Sequence, residues 1–354
     1  MSLDELLARV DALIVAGQAL EARGTTADVS ASIRHYDEAA AQLRQSSLSS
    51  HELARQQLAR AWMNRANALQ RLNPPATLPD SVRAYDEAIA VFRTLPLPDH
   101  PGYQNNLAAA WMNRGHALHL LGDPSSLAAA VESQRTALDL LRTLPLAADR
   151  SHRINLAAAS LNLATSLLAL GDLAGAHVAA REAMDAAAPA EAEDPAVADI
   201  ALKARRACCD AIGRLLVQAA AQSEPTDPLA DEASDIVDDG LALARRWESR
   251  GMPLFRPTAA RLFRFGAQLY AAHLPDFLAE FILEHLDPAR STGAMPDAED
   301  SLLAAAQALA EARTDLESHR TVFLDSPETT RLLDRLRDIR AAEARLAELR
   351  RAHS

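Results

Sequence analysis

The nonapeptide Leu58-Ala-Arg-Ala-Trp-Met-Asn-Arg-Ala66 returns as Leu107-Ala-Ala-Ala-Trp-Met-Asn-Arg-Gly115, 49 residues further on, and again as Leu156-Ala-Ala-Ala-Ser-Leu-Asn-Leu-Ala164. The same step links Gly17, Ala66, Gly115, Ala164 and Gly213, each followed three positions later by a leucine, at Leu20, Leu69, Leu118, Leu167 and Leu216. A small residue one turn from an apolar one describes a helix face suited to close contact. Tyr36-Asp-Glu-Ala-Ala40 and Tyr85-Asp-Glu-Ala-Ile89 mark a second helix behind each first one, as do the small residues Ser32, Ser81, Ala130 and Ala176. One hairpin cannot bury its own apolar faces, so hairpins repeated at this period must stack.

Composition agrees with an all-α chain. Hydrophobic residues reach 49% while aromatics are only 4%, so the apolar content is mainly alanine and leucine, both strong helix formers. A chain of 354 residues exceeds one ordinary domain, but a repeat array grows by addition and can be this long as one body.

The stretch Ala157 to Asp185 resembles a tetratricopeptide repeat, with Asn162, Ala164, Leu167, Gly171-Asp172 at the turn, and Ala176 and Ala183 in the second helix. Trp62 and Trp111 match that family's aromatic near the start of the first helix, and Gly122-Asp123 matches its turn. The resemblance spans residues 10 to about 249, with a looser sixth copy at Phe263 to Pro288. It implies a right-handed superhelical solenoid of antiparallel helix hairpins, closed by C-terminal capping helices. The family unit is 34 residues, so the extra length is expected in the turns at Asn73 to Asp80 and Gly122 to Leu127, and between hairpins, where Arg93-Thr-Leu-Pro-Leu97 recurs as Arg142-Thr-Leu-Pro-Leu146. The prolines there stop the second helix.

Beyond the repeats, Ser223 to Leu229 breaks the pattern and Asp231 to Ser249 supplies the second helix of a fifth hairpin. Residues 1–250 thus read as the array, 251–290 as a degenerate, aromatic-rich sixth hairpin with Phe263, Phe265 and Tyr270, and 291–354 as capping helices at about 297–317 and 326–352. The last of these carries Leu332, Leu336, Ile339, Ala342, Leu346 and Leu349 at alternating three- and four-residue steps, a narrow seam. It is read as a cap on its own chain, giving a chiefly monomeric protein with weak dimerisation through 326–352 as the other option.

A net charge of -12 without any basic stripe argues against nucleic acid as a partner. Lys203 is the only lysine among 36 basic residues, a bias read first as the codon usage of a GC-rich bacterial genome. Cys208 and Cys209 are adjacent, with no metal-like or CxxC spacing, and fit a reducing compartment as small core residues. The first 20 residues lack a basic start and hold Asp4, Glu5 and Asp11, unlike a secretory signal. No uncharged apolar run approaches about 20 residues, so no membrane partner and a cytoplasmic location are expected.

No nucleotide loop, HExxH, GxSxG or EF-hand pattern occurs, so no enzyme activity and no cofactor are expected. His116 and His119 lie three apart on one helix, but no carboxylate or cysteine stands at a complementary step, and no metal is expected. The expected function is therefore that of a scaffold or adaptor for another protein or an extended peptide, held in a concave groove lined by the first helices. Asn64, Asn113 and Asn162 recur there at the period, although asparagine is a modest helix former. The resemblance implies an asparagine ladder that binds a peptide backbone; the alternative is that each amide bonds to the neighbouring hairpin and sets its packing. Around them Arg60, Asn67, Arg71, His116, His119, Thr165, Lys203 and Arg214 would make the groove polar and somewhat basic, with Met63, Met112 and Leu161 as adaptable apolar contacts. A second reading is a regulatory or small-molecule-sensing module, with a pocket between the array and the segment Phe255 to Phe281.

Overall fold

A computed structural model describes residues 2–72, 76–147, 149–273, 277–286, 305–310, 313–314 and 327–353. Among these residues it is all-α, a succession of helical hairpins, in two compact units, Met1–Asp172 and Leu173–Ser354. The first unit contains α1 (Leu3–Arg23), α2 (Thr26–Gln45), α3 (Glu52–Leu72), α4 (Leu78–Phe92), α5 (Pro101–Leu121), α6 (Pro124–Arg142) and α7 (Arg150–Leu170). The second contains α8 (Leu173–Ala187), α9 (Pro195–Gln222), α10 (Asp227–Glu248), α11 (Arg256–His273), α12 (Leu278–Leu286) and α13 (Pro327–His353).

Local chemistry sets the helix ends. Ser2 and Glu5 form a reciprocal capping box on α1, and the carboxylates of Asp123, Asp149 and Asp194 accept from the first free N–H groups of α6, α7 and α9. Gly24 and Gly122 end α1 and α5 at φ +77°, where a side chain would be strained. The turns inside the hairpins are shorter than expected. Helix α4 already begins at Leu78 and α6 at Pro124, because proline is tolerated in the first turn, where no N–H is needed. Asn73 of the expected turn lies outside the described residues. Helix α10 likewise starts at Asp227 rather than Asp231, with Pro228 in its first turn.

The links between hairpins are long, as expected, and they are anchored. Leu95 and Leu144 of the repeated Arg-Thr-Leu-Pro stretch are buried. Carbonyls at the ends of α4 and α6 are met by the first helix of the same hairpin: Arg55 Nη1 of α3 donates to Thr94 O at 2.8 Å, and Gln104 Nε2 of α5 donates to Leu140 O at 3.0 Å.

Small residues carry the hairpin packing. An added Cβ at Gly17 would lie 2.6 Å from the Tyr36 ring, and one at Gly115 would lie 2.7 Å from Gln134 Cγ, while Ala66 and Ala164 are fully buried. Tyr36 and Tyr85 are fully buried and Gln134 nearly so, each 49 residues from the last. The Trp-Met-Asn-Arg motif joins successive hairpins. Arg44 and Arg65 flank the Trp62 ring at 4.8 and 5.6 Å from its centroid, and Arg93 and Arg114 flank Trp111 at 5.2 and 5.5 Å. Arg65 and Arg114 also donate to Asp37 and Asp86 at 2.6 and 2.7 Å, so the aspartate of Tyr-Asp-Glu-Ala and the arginine of the next motif form one bonded unit.

Helix α7 is long and apolar enough to cross a bilayer, contrary to the expectation from the sequence, but it serves as a packed helix of the first unit against α5 and α6. In the second unit α11 packs on both α9 and α10. Phe281 stacks between Phe263 and Tyr270 at 5.4 and 4.4 Å, and Trp247 donates to Glu191 O at 2.9 Å. Gly213 departs from its expected role, because its small face meets Phe265 of α11 and not the second helix of its own hairpin. Helix α13 packs on α12, with Leu336, Ile339, Ala342, Leu346 and Leu349 buried. The expected loop at Ser291 to Pro296, most of the helix at 297–317 and the side chain of Leu332 lie outside the described residues.

Candidate functional site

Within the first unit the first helices of the hairpins also pack on one another, α1 on α3, α3 on α5 and α5 on α7, whereas α2, α4 and α6 show no comparable mutual packing among the described residues. Fully buried alanines in phase allow the approach: Ala59, Ala108 and Ala157, and Ala61, Ala110 and Ala159. Helices α1, α3, α5 and α7 thus form one continuous packed row.

Polar bonds cross every joint of this row. Arg60 Nη1 pairs with Asp11 at 3.0 Å and Arg71 Nη1 with Glu21 at 3.3 Å, joining α3 to α1. Tyr103 donates to Glu52 at 2.8 Å and Gln70 Nε2 to Asn113 O at 3.3 Å, joining α5 to α3. Asn155 donates to Asn105 at 2.9 Å, and His119 lies 3.2 Å from Ser166 Oγ, joining α7 to α5. Asn67 Oδ1 accepts from the Tyr85 hydroxyl at 2.5 Å, and Thr165 Oγ1 donates back to Leu161 O of its own helix at 2.6 Å.

These partnerships change the expected character of the groove. Arg60 and Arg71 are balanced by carboxylates of the preceding first helix, so the row is polar rather than basic. Desolvation holds both His116 and His119 below the ordinary histidine value, and the charge of His119 adds to the effect on His116. Burial thus favours the neutral form of both.

The asparagines behave differently. Asn64, Asn113 and Asn162 are half-buried on α3, α5 and α7, and none has a side-chain hydrogen-bond partner among the described residues. The Nδ2 of Asn64 is closed off from solvent with no acceptor. Met63 packs against the core between α3, α4 and α5, and Met112 and Leu161 are half-buried.

Lys203 and Arg214 belong to α9 of the second unit. Lys203 pairs with Asp199 on its own helix at 2.6 Å, and Arg214 is also engaged. A cavity of about 300 Å³ opens between α9 and α11, lined by Gly213, Leu216, Val217, Phe265, Leu269 and His273 among others. It lies where the sensing alternative expects a pocket. Cys208 and Cys209 are buried; burial first, then Glu232, pushes the Cys208 thiol up to about 12. Metal-ligating side chains converge not at His116 and His119 but at His177, Cys208 and Glu232, whose spacings of 31 and 24 residues match no recognised pattern.

No protein-family model and no curated protein matches the chain. Solved structures similar to it include a circular tandem repeat protein with novel repeat topology and enhanced subunit contact surfaces, at 13% identity and TM-score 0.36, covering 98% of this chain and 85% of that one. Another is Nro1, described as a hypoxic regulator of sterol synthesis and a nuclear import adaptor, at 18% identity and TM-score 0.46, covering 94% of this chain and 93% of that one. Likeness at this level does not identify a partner.

Proposed function

We propose that the first unit is a long tetratricopeptide-like adaptor that holds an extended segment of another protein along α3, α5 and α7, with Asn64, Asn113 and Asn162 bonding its backbone. The observation that supports this is the contrast within one row: neighbouring polar side chains are used up in joints between helices, while the three phased amides lack partners. A side-chain amide both donates and accepts, as a peptide group requires; Asn64, whose Nδ2 is closed off from solvent, would offer its Oδ1 as acceptor. Packed helices stand about 8–10 Å apart. An extended chain advances about 3.3 Å per residue, so successive amides would meet roughly every third residue of the segment. Met63, Met112 and Leu161 adapt to the side chains between.

Peptides selected from a displayed random library on the wild-type chain would supply a probe. Three backbone bonds at about 0.5–1.5 kcal/mol each amount to at least roughly tenfold in affinity, so the Asn64→Ala/Asn113→Ala/Asn162→Ala variant is expected to bind the selected peptides more than tenfold less tightly by fluorescence anisotropy. Its melting temperature should match or exceed wild type, since alanine suits a helix better and the unpaired Nδ2 is removed. Equal binding by the folded variant would sink this reading.

The cavity between α9 and α11 supports the sensing alternative, with a volume at the lower end of small-molecule sites, about 300–1,000 Å³. A compound that raises the melting temperature of wild type and of the asparagine variant equally would favour it.

A further inference from the structure

Three helices of the second unit bring unlike ligating atoms to one place. His177 comes from the first turns of α8, Cys208 from the middle of α9 and Glu232 from the start of α10. An imidazole nitrogen, the thiol sulfur and a carboxylate oxygen all lie within 4.8 Å of one another, with His177 Nε2 2.9 Å from Glu232 Oε1. Cys208 is fully buried at the base, while the His177 and Glu232 side chains are 21% and 28% exposed, which leaves a path from solvent. At the repeat period Cys208 takes the place of Ala61, Ala110 and Ala159, so a ligating atom stands where the array otherwise has a methyl group.

We infer that His177, Cys208 and Glu232 form a site for one borderline-soft divalent transition-metal ion, with zinc the best chemical fit and water as the fourth ligand. Nitrogen, sulfur and carboxylate oxygen together are the donors zinc takes, whereas calcium and magnesium demand oxygen. Zinc bond lengths of about 2.0–2.3 Å in a tetrahedron separate ligand atoms by roughly 3.3–3.6 Å. The His177–Glu232 separation of 2.9 Å lies just under that range and the sulfur is within 4.8 Å of both, so small side-chain rotations would bring the three atoms to it. A bound dication ionises a coordinating thiol outright. Arg181 Nη1, 3.5 Å from Glu232 Oε1, competes for the same carboxylate; its side chain is 47% exposed and is free to swing into solvent. A hydrogen bond of His177 and an ion pair of Arg181 with Glu232 explain two of the three groups but give the thiol no part. A metal filling this site would tie α8, α9 and α10 together.

The test uses the full chain, stripped with a chelator and titrated with Co²⁺ under absorption spectroscopy, then with Zn²⁺ against a chromophoric chelator. The expected result is a thiolate-to-cobalt charge-transfer band that saturates at one equivalent, is displaced by Zn²⁺, and is lost in Cys208→Ser but kept in Cys209→Ser. Zn²⁺ affinity should fall by about 100-fold or more in Cys208→Ser, and by about tenfold or more in His177→Ala and in Glu232→Gln. The last two residues are partly exposed, so those variants carry the test if Cys208→Ser fails to fold. A folded wild-type chain without a sulfur band would overturn the inference. So would a band that survives Cys208→Ser, or Zn²⁺ affinity unchanged in both His177→Ala and Glu232→Gln.

Discussion

Gly17 sits inside α1, where alanine would ordinarily favour the helix by about 0.8–1.0 kcal/mol. The ring of Tyr36 decides otherwise, because an added methyl would lie 2.6 Å from its Cε1 atom. The ring is fully buried and its hydroxyl donates to Glu21 at 2.5 Å, so it has little room to yield. Overpacking of this kind costs about 1–3 kcal/mol. Gly17→Ala is therefore expected to be destabilising by about 1 kcal/mol, read as a lower urea midpoint with an unchanged slope. At Gly24 nothing lies within 4 Å, yet φ is +77°, so alanine there costs through backbone strain and not through contact.

At the scale of helices, the arginine–tryptophan–aspartate units are joints between hairpins, and their parts differ in weight. Asp37 is about half exposed, which limits its pair with Arg65 to under about 1 kcal/mol. Arg65 also covers the Trp62 ring, a contact worth about 0.5–1 kcal/mol more. Arg65→Ala should thus be more destabilising than Asp37→Ala, with a coupling below about 1 kcal/mol in a double-mutant cycle measured by urea denaturation; equal single effects would remove the ring from the account. The hairpin, its small contact residues and the order of first and second helices were legible from the 49-residue period, since each repeats in sequence. The partners were not, although the 28-residue separation of Asp37 from Arg65 and of Asp86 from Arg114 is there to be seen. Which residue of the next helix a side chain meets depends on rotation about the helix axis, and a sequence period does not define that angle. For the same reason Arg60 and Arg71 read as groove cations from the sequence and turn out to be paired, while Asn64, Asn113 and Asn162 were singled out by their phase alone. His177, Cys208 and Glu232 are brought together only by three-helix packing.

At the scale of the whole molecule, the C-terminal helix α13 has its apolar seam from Leu336 to Leu349 buried within the chain itself. Arg313 pairs with Glu343 at 3.1 Å on its flank. Removing residues 326–354 is expected to leave a folded chain that melts earlier and associates through the uncovered surface, checked by light scattering and thermal unfolding. A stable wild-type dimer that turns into an equally stable monomer on truncation would show instead that the seam joins two copies. The tryptophans have a use that the packing does not exhaust. Trp62 and Trp111 lie in the first unit between guanidinium groups, and Trp247 lies buried in the second, bonded to a backbone carbonyl. With phenylalanine at 62 and 111 the chain would keep a single tryptophan, so emission excited beyond the absorption of its four tyrosines, with no attached dye, could follow the second unit alone and, by difference, the first.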